Sequence, residues 1–172
     1  MSHLPIIIGI SGPSASGKSL LANTIVNELG SEQVVVISED AYYKDNSHLP
    51  FKEREKINYD HPNAFDHTLL HEHLKRLRQN EAVNIPVYSH SKHLRLDETR
   101  RVGQHAIIVL EGILLFSEKL VRDIMDIKIF MSTPLDVCLT RRLKRDVVER
   151  QRSFESVVHQ YETTVRPMYL QF

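Results

Sequence analysis

Residues 12–19 read Gly-Pro-Ser-Ala-Ser-Gly-Lys-Ser, and this segment constrains the fold more than any other part of the chain. It follows a β-branched run at residues 6–10 and opens a helical stretch at residues 18–29. In that setting the pattern G-x-x-x-x-G-K-[ST] predicts a phosphate-binding loop, in which backbone N–H groups turn toward phosphate oxygens at a helix N-terminus. Lys18 would reach the β- and γ-phosphates, and Ser19 Oγ would bind Mg²⁺. The segment therefore predicts a nucleoside triphosphate site.

The rest of the chain predicts a doubly wound α/β fold, with a parallel sheet and helices on both of its faces. Non-alternating apolar runs of strand length are typical of strands buried on both faces, and here they alternate with helical stretches. The predicted strands are residues 6–10, 34–37, 106–110 and 127–131, and the predicted helices are residues 18–29, 64–78, 118–126 and 135–148.

Two segments depart from this alternation. Residues 83–103 consist of short polar and β-branched pieces, which indicate a small β insert of the kind that forms acceptor pockets beside parallel sheets. Residues 153–172 carry apolar side chains at helical spacing, and Pro167 predicts an interruption or a stop near the end. We interpret residues 1–172 as a single domain.

Composition excludes several classes of function. Lys and Arg number 22 and balance 22 Asp and Glu, so no overall field favours nucleic acid or an anionic membrane. The one cysteine, Cys138, has apolar neighbours, which predicts core packing rather than reactivity. No apolar run approaches the length of a membrane span, and no signal sequence precedes residue 6, which favours a cytoplasmic protein. The Asn-Lys-x-Asp and Asp-x-x-Gly elements of signalling GTPases are absent from the sequence.

Two carboxylates follow predicted strands at the edge of the sheet where ligands bind. Asp40 comes after the second strand and Glu111 after the third. Phosphoryl transfer to a hydroxyl needs a carboxylate that orients or deprotonates the nucleophile beside the metal. Either acid alone could be a helix cap or a solvated charge, but two beside a phosphate-binding loop favour a functional role.

Other polar residues leave two interpretations open. Asp60, Tyr88 and His93 fall where loops and the insert would face an acceptor, although Asp before His-Pro is also a plain turn former. Histidines also cluster on the predicted third helix, where we expect a solvated face rather than a metal site. These histidines are His67, His71 and His73.

Arginines concentrate between residues 141 and 153, which predicts a lid. Guanidinium groups pair with phosphate oxygens, and a mobile cationic helix can close over a transferring phosphoryl group. The alternative is a basic solvated face that alternates with Asp146 and Glu149. The arginines are Arg141, Arg142, Arg145, Arg150 and Arg152.

Taken together, these stretches resemble the uridine kinases, also called uridine-cytidine kinases, over essentially the whole chain, and most closely their bacterial branch. The resemblance implies the P-loop nucleoside-kinase fold with a β insert and an Arg-rich lid. The stretches that carry it are residues 12–19, 39–45 (Glu-Asp-Ala-Tyr-Tyr-Lys-Asp), 58–62 (Asn-Tyr-Asp-His-Pro), 85–88 (Ile-Pro-Val-Tyr), 110–114 (Leu-Glu-Gly-Ile-Leu) and 141–146 (Arg-Arg-Leu-Lys-Arg-Asp).

The resemblance implies a role for each matching position. Asp40, Lys18 and Arg145 would be catalytic, with Asp40 facing the ribose 5′-hydroxyl, and Ser19, Asp40 and Glu111 would surround Mg²⁺. Tyr88 and His93 would read the pyrimidine. The implied nucleotide-binding residues are Gly12, Ser14, Ala15, Ser16, Gly17, Lys18, Ser19, Leu20, Arg150 and Arg152, and the implied substrate-binding residues are Tyr43, Asp60, Tyr88, His93, Arg142 and Gln160.

The family also implies cofactors and partners. ATP or GTP would donate the phosphate with Mg²⁺, uridine and cytidine would accept it, and the enzyme would be a cytoplasmic homotetramer that binds neither nucleic acid nor membranes. Three features depart from the family pattern. His90 stands where Phe or Tyr is common, Gln151 replaces a usual Gly, and the family continues beyond Phe172 into a further strand and helix.

Two other readings of the residues stay open. The loop and carboxylates would also suit a related kinase that phosphorylates a sugar phosphate or pantothenate. A nucleotide-binding regulator without turnover would keep the phosphate-binding loop but form no product.

Overall fold

A computed structural model describes residues 4–172 and places two sheets beside one another. The central sheet contains β1 (Ile6–Ser11), β2 (Val34–Ser38), β5 (Ile107–Gly112) and β6 (Ile127–Phe130), all parallel, in the order β2-β5-β1-β6. The second sheet is an antiparallel hairpin of β3 (Val83–Ser89) and β4 (Leu94–Val102).

Helical segments connect these strands. The α-helices are α1 (Lys18–Leu29), α2 (Phe51–Arg54), α3 (His67–Arg78), α4 (Lys119–Asp123), α5 (Leu135–Lys144), α6 (Phe154–Gln160) and α7 (Arg166–Gln171). Glu39–Tyr42 and Pro62–Ala64 form 3₁₀ turns, and Arg145–Glu149 and Tyr161–Val165 form π-helical turns.

The predicted strands bury side chains on both faces of the central sheet, as their unbroken apolar sequences indicate. On one face Ile7 and Ile37 join Leu70 and Leu74 of α3 in a single buried cluster. On the other face Ile10, Val34 and Val109 pack in a cluster with Ala22 of α1. The prediction of a parallel sheet with helices on both faces is therefore confirmed.

The strand register brings the carboxyl ends of three strands to one edge. Glu111 of β5 lies level with Ser38 of β2 on one side and with Ile10 of β1 on the other. The phosphate-binding loop leaves β1 at this edge, and Asp40 lies two residues beyond the end of β2. The sheet therefore gathers the predicted loop and both predicted carboxylates at the place where open α/β sheets bind ligands.

Helix boundaries differ from the prediction where capping or turn geometry intervenes. The third helix starts at His67 rather than at residue 64, because Pro62–Ala64 form a 3₁₀ turn and Asp66 caps α3 by accepting a bond from the Leu69 amide. The fourth helix is shorter than predicted, and the fifth passes into a π turn at Arg145.

Pro167 interrupts the last helical segment without stopping it. A proline has no N–H to donate, and its ring crowds the carbonyl of the preceding turn. The π turn Tyr161–Val165 comes just before it, and the wider turn lets α7 continue through Pro167 to Gln171. The stop that the sequence suggested is wrong, while the interruption is present.

Among residues 4–172, no helix combines the length and apolarity that a membrane crossing requires.

Candidate active site

The phosphate-binding loop adopts the backbone that its glycines permit. Gly17 precedes α1 with a φ of 103°, a left-handed conformation that side chains disfavour. Gly12 has a φ of 151°, and a Cβ there would lie 2.8 Å from the Met131 carbonyl oxygen. The loop is tied to the chain beyond β6 by a 2.9 Å hydrogen bond from Thr133 Oγ1 to the Ser16 carbonyl. These constraints hold the loop open as a cradle at the start of α1.

Lys18 lies folded over this cradle. Its Nζ donates a 2.8 Å hydrogen bond to the Pro13 carbonyl, and the residue is only 6% exposed. Burial lowers the pKa of Lys18, while the nearby carboxylates of Glu111 and Asp40 oppose that shift. The ammonium group is therefore held inside the loop between two acids.

The predicted metal-side residues are neighbours. Ser19 Oγ donates a 3.2 Å hydrogen bond to Glu111 Oε2, although 92 positions separate them in sequence. Asp40 occupies the 3₁₀ turn after β2. Desolvation and the Glu111 and Glu39 carboxylates raise the pKa of Asp40 to about 7, against the charges of Lys18 and Arg150. The side chain stays 40% exposed, so it is open to a substrate from the cleft.

Glu39 and His67 support the edge of the sheet at which Asp40 and Glu111 lie. Glu39 is fully buried, and its Oε1 lies 2.8 Å from His67 Nε2 while its Oε2 accepts a 2.9 Å bond from the Leu114 amide. Glu39 packs so closely on Gly112 that a Cβ at that glycine would overlap its carboxylate. The ends of β2 and β5 are therefore locked together directly beneath Asp40 and Glu111.

The histidines of α3 contradict the expected solvated face. His67 is 8% exposed and His73 is 9% exposed, and His73 Nδ1 lies 2.9 Å from the Tyr42 hydroxyl. One ring nitrogen of His67 and one of His73 thus have a polar partner, which offsets the cost of burying them, whereas the buried His71 Nδ1 has no partner among residues 4–172. Across residues 4–172, no three His, Cys, Asp or Glu side chains are grouped as ligands of a metal ion.

An aromatic pocket lies beside Asp40 and contains three of the predicted substrate residues. Tyr43 stacks on Phe65 with ring centres 4.3 Å apart and contacts Tyr88 at 4.9 Å. His93 stacks on Tyr59 with ring centres 5.0 Å apart and an interplanar angle of 18°. These rings present flat apolar faces of the kind that stack on a heterocyclic base.

Polar atoms of Tyr88, His93 and His90 lie among or beside these rings. The buried Tyr88 hydroxyl has no hydrogen-bond partner among residues 4–172, and burial together with the neighbouring Tyr59 raises its pKa. Burial lowers the pKa of His93, which favours the neutral imidazole. His90 Nε2 approaches Asp40 Oδ2 at 3.7 Å, so the departure from an aromatic residue places a polar ring between the pocket and the carboxylate.

The insert is anchored to this pocket by Arg95 of β4. Its Nε donates a 2.6 Å bond to the Tyr43 carbonyl, and its Nη2 contacts the Tyr42 carbonyl and Asp66 Oδ2, each at 3.3 Å. The hairpin is therefore positioned relative to the loop that carries Asp40 and Tyr43.

A cluster of polar side chains surrounds Asp60. Thr164 Oγ1 donates a 2.9 Å bond to Asp60 Oδ2, and Arg142 donates from Nη1 to Ser14 Oγ at 2.9 Å and from Nη2 to Gln160 Oε1 at 3.0 Å. Burial raises the pKa of Asp60, while Thr164 and the two nearby arginines, Arg142 and Arg152, oppose the shift. The predicted residues Asp60, Arg142 and Gln160 therefore meet beside the phosphate-binding loop.

The predicted lid arginines converge instead of spreading over a solvated face. Arg142, Arg145, Arg150 and Arg152 each place a nitrogen within 4 Å of a carboxylate oxygen of Asp146. Arg141 is exposed on α5 and stands apart from this group. Leu20, at the third position of α1, has 73% of its surface exposed.

Sequence reasoning missed several residues that the structure brings into the site. Glu39, His67, Tyr59 and Thr164 support or line it without belonging to a local motif that assigns them a role. Asp146 was interpreted only as one of the acids that alternate with the lid arginines. The i,i+4 spacing of Asp146 from Arg142 and Arg150 was the one available signal for its ion pairs.

The cradle, the lysine inside it and the carboxylates at the strand ends define a P-loop kinase. The chain belongs to the phosphoribulokinase / uridine kinase family, whose model matches residues 7–172.

Relatives in this family cover nearly the whole chain. A protein named uridine kinase from Tolumonas auensis is 60% identical over 171 residues, which are 97% of this chain and 80% of that protein. A uridine kinase from Shewanella amazonensis is 56% identical over 171 residues, with 97% of this chain and 81% of the relative covered.

Solved structures share the fold at low identity. A D-glycerate 3-kinase from Cryptococcus neoformans has a TM-score of 0.69 and 17% identity, covering 92% of this chain and 78% of that one. A phosphoribulokinase from Rhodobacter spheroides has a TM-score of 0.64 and 15% identity, covering 99% of this chain and 68% of that one. At these identities the likeness extends to the fold alone.

Proposed function

We propose that this chain transfers a phosphoryl group from ATP to the 5′-hydroxyl of uridine and cytidine, giving UMP and CMP. The observation that carries this proposal is the position of Asp40, which lies near Lys18 on one side and His90 of the aromatic pocket on the other. The close relatives named uridine kinase support the choice of a pyrimidine nucleoside as acceptor.

The donor side of the site would be formed by the loop and the lysine. Backbone N–H groups of residues 12–20 and the N-terminus of α1 would hold the phosphates, and Lys18 would leave Pro13 to reach the β- and γ-phosphates. We expect ATP as the phosphate donor, with GTP as the alternative.

The residues present suit Mg²⁺. Ser19, Asp40 and Glu111 offer oxygen atoms only, and a magnesium ion in a kinase is typically held by one or two carboxylates together with the phosphates of the nucleotide. When bound, Mg²⁺ would neutralise charge on the phosphate oxygens.

Asp40 would act as the general base. A pKa near 7 matches the pH at which the enzyme must both hold an ionised carboxylate and accept a proton. Its exposed side would accept the hydrogen bond of the 5′-hydroxyl and take the proton as the hydroxyl oxygen attacks the γ-phosphorus. The bond from that phosphorus to the β–γ bridging oxygen would break, and ADP would leave. Lys18 and the lid arginine Arg145 would stabilise the negative charge on the transferred group, and Arg150 and Arg152 would bind the phosphates.

The acceptor would lie between the aromatic pocket and the Asp60 group. Asp60, Arg142 and Gln160 would bind the ribose hydroxyls, and Tyr43 would form one wall. The unpartnered Tyr88 hydroxyl and His93 would bond the pyrimidine edge. Because an imidazole can donate or accept, His93 would tolerate both the oxygen of uracil and the amino group of cytosine.

We also propose that residues 1–172 act as one kinase domain, with residues 83–103 forming the nucleoside-binding insert and residues 141–153 the lid. By family resemblance we expect a homotetramer in the cytoplasm. Light scattering coupled to size-exclusion chromatography tests the oligomeric state directly.

The test is formation of UMP from uridine, ATP and Mg²⁺ by wild type and by Asp40→Asn. Asp45→Asn is the matched control, because Asp45 is an exposed carboxylate five positions away that bonds only Ser47 among residues 4–172. We expect Asp40→Asn to lose activity by about a thousandfold or more and Asp45→Asn to retain it.

Ribulose 5-phosphate and pantothenate serve as alternative acceptors in the same assay. Turnover with either but not with uridine or cytidine would overturn the proposed substrate while keeping the kinase chemistry. Nucleotide binding without any product would identify a binding module.

A further inference from the structure

A single buried carboxylate lies at the centre of the lid. Asp146 has no exposed surface, yet its oxygens face four guanidinium groups. Arg145 Nε donates a 2.8 Å bond to Oδ1, and Arg150 Nη1 lies 3.5 Å from the same oxygen. Arg142 Nε and Arg152 Nη1 lie 3.6 and 3.8 Å from Oδ2.

These contacts keep Asp146 ionised. Burial alone would favour the neutral acid, but the Arg145 hydrogen bond and the surrounding arginine charges hold the pKa of Asp146 below its ordinary value. One negative charge therefore faces four positive ones, so the arginines outnumber the acids around them even when Asp60, near Arg142 and Arg152, is counted.

The contacts leave the terminal nitrogens of Arg145 accessible, while those of Arg142 and Arg152 bond to neighbouring side chains. Asp146 holds Arg145 through Nε, so both terminal nitrogens of that guanidinium stay available for a bidentate contact. Arg142 links the cluster to the phosphate-binding loop through Ser14 Oγ. Arg152 joins Gln160 Oε1 at 2.6 Å, and its amide donates a 3.0 Å bond to the Asp146 carbonyl. The excess positive charge is therefore fixed beside the cradle.

We propose that Asp146 is the positioning residue of the lid, a buried anion that assembles four arginines beside the phosphate-binding loop and leaves an excess of positive charge for a polyphosphate. The inference rests on the proposed kinase function for its catalytic consequence. Four free guanidinium groups would repel one another and scatter, whereas one central carboxylate lets them stay within a few ångströms before any anion arrives. Asp146 itself touches no reacting atom.

The Asp146→Asn variant separates positioning from a merely structural role. Asparagine keeps the shape and the oxygen that accepts from Arg145 Nε but removes the charge. The array then carries one more uncompensated positive charge and loses the anion that gathers it. We expect inorganic triphosphate to bind about threefold to tenfold more tightly at low ionic strength, while kcat for UMP formation falls at least tenfold.

Asp136→Asn is the matched control. Asp136 is an exposed carboxylate near the start of α5, so its loss changes the net charge equally without changing the cluster. We expect its triphosphate affinity and kcat to stay within about twofold of wild type. Thermal unfolding and the stoichiometry of triphosphate binding report whether each variant is folded.

Tighter triphosphate binding together with a lower kcat in Asp146→Asn would support the proposal, because damage to folding cannot tighten anion binding. Weaker triphosphate binding together with a lower kcat, or a kcat within twofold of wild type, would overturn the proposal. If wild type itself forms no UMP, the kinase proposal fails, and the triphosphate affinities still decide the role of Asp146.

A measurement on wild type covers the case in which the variant does not fold. In ¹⁵N-labelled protein the Arg145 Nε–H resonance, assigned by its loss in Arg145→Lys, should be protected from exchange with water before triphosphate is added and should remain so afterwards. Rapid exchange in the free protein would overturn the proposal, because Asp146 would then not hold that arginine.

Discussion

Thr164 in the second π turn donates a 2.9 Å hydrogen bond to Asp60 Oδ2, joining residues 104 positions apart at the proposed ribose site. The same hydroxyl also lies 3.0 Å from the Gln160 carbonyl oxygen. Asp60 is 8% exposed, so this bond provides one of the few polar partners of a buried carboxylate. The C-terminal helical segment therefore controls the orientation of a residue that we expect to bind the nucleoside.

Thr164→Val should raise the KM for uridine about tenfold with little change in the KM for ATP, since a hydrogen bond to a charged group contributes about 1.5–3 kcal/mol. Thr163→Val is the matched control, because Thr163 bonds only the His159 carbonyl among residues 4–172 and lies exposed on the same segment. Steady-state kinetics with each substrate varied in turn provides the measurement. Equal KM values for uridine in the two variants would contradict a role of Thr164 in positioning Asp60.

The pH dependence of this variant gives a second readout. The Thr164 bond lowers the pKa of Asp60 against the effect of burial, so its loss should raise that pKa further. Uridine binding through an ionised Asp60 weakens as the pH falls through this pKa. The KM for uridine should therefore begin to rise at a higher pH in Thr164→Val than in wild type. Coincident profiles would exclude Asp60 as the titrating group.

Asp40 should reduce the stability of the free protein at neutral and alkaline pH. Its pKa rises from 3.8 to about 7 on folding, so the ionised form is less favourable in the folded state. Any stability that the protonated carboxyl provides is complete below pH 3.8 and is lost as the pH rises to about 7. Asp40→Asn cannot ionise and should be more stable than wild type above that range.

We expect a difference of about 1–2 kcal/mol at pH 8, a reduced value because the side chain is 40% exposed and solvent screens its charge. Urea unfolding without nucleotide or Mg²⁺ at pH 4, 6 and 8 measures it. The difference should grow from pH 4 to pH 8. A constant difference would show that Asp40 titrates near its ordinary pKa in the folded protein.

The sequence predicted the carboxylates at the strand ends of this site, but it did not predict the buried residues that support them. Asp40 and Glu111 could be predicted because each follows an apolar strand and parallel strands place their carboxyl ends at one edge. Glu39 precedes Asp40 in the same motif, but its burial depends on His67, 28 positions away. Sequence spacing carries no signal for such a pairing, because it arises only when α3 packs on the sheet.

The lid illustrates the same limit. The arginine pattern predicted an anion-binding segment, and the arginines do gather. Asp146 lies among charged residues in sequence, which usually indicates a solvated position. Its burial depends on the π turn Arg145–Glu149 and on the return of Arg152 toward it, and neither has a local signature. Local motifs predicted that arginines would concentrate here, and tertiary contacts determined which charges were buried.

Gly112→Ala should disturb the packing that supports Asp40 and Glu111, the two carboxylates of the proposed active site. A Cβ at Gly112 would overlap the Glu39 carboxylate, which is fixed by His67 and the Leu114 amide. Overpacking of a buried site costs about 1–3 kcal/mol, and displaced strand ends would shift Glu111 relative to Asp40. We expect about 2 kcal/mol lower stability and at least a tenfold lower kcat.

Gly103→Ala is the control for this substitution. No atom lies within 4 Å of a Cβ at Gly103, so alanine there should change the unfolding free energy by less than about 0.5 kcal/mol. Urea unfolding and UMP formation compare the two variants. Equal stability of Gly112→Ala and Gly103→Ala would show that Glu39 can move aside without cost.

Gln151 should store backbone strain in the lid. Its φ of 54° lies in the left-handed region, which costs a non-glycine residue about 1–2 kcal/mol, whereas glycine adopts it freely. Glycine also adds freedom to the unfolded chain, which offsets about 0.4–1 kcal/mol of the gain. Gln151→Gly should therefore raise the unfolding free energy by about 0.5 kcal/mol. Urea unfolding of wild type and variant gives this difference.

Glu149→Gly tests whether that gain comes from the left-handed backbone rather than from any glycine in the lid. Glu149 lies exposed in the neighbouring π turn without a positive φ, so glycine there has no strain to relieve and should destabilise the protein by about 0.5–1 kcal/mol. Opposite signs for two glycines placed two positions apart would locate the strain at Gln151. Destabilisation by both would mean that contacts of the Gln151 side chain outweigh its backbone cost.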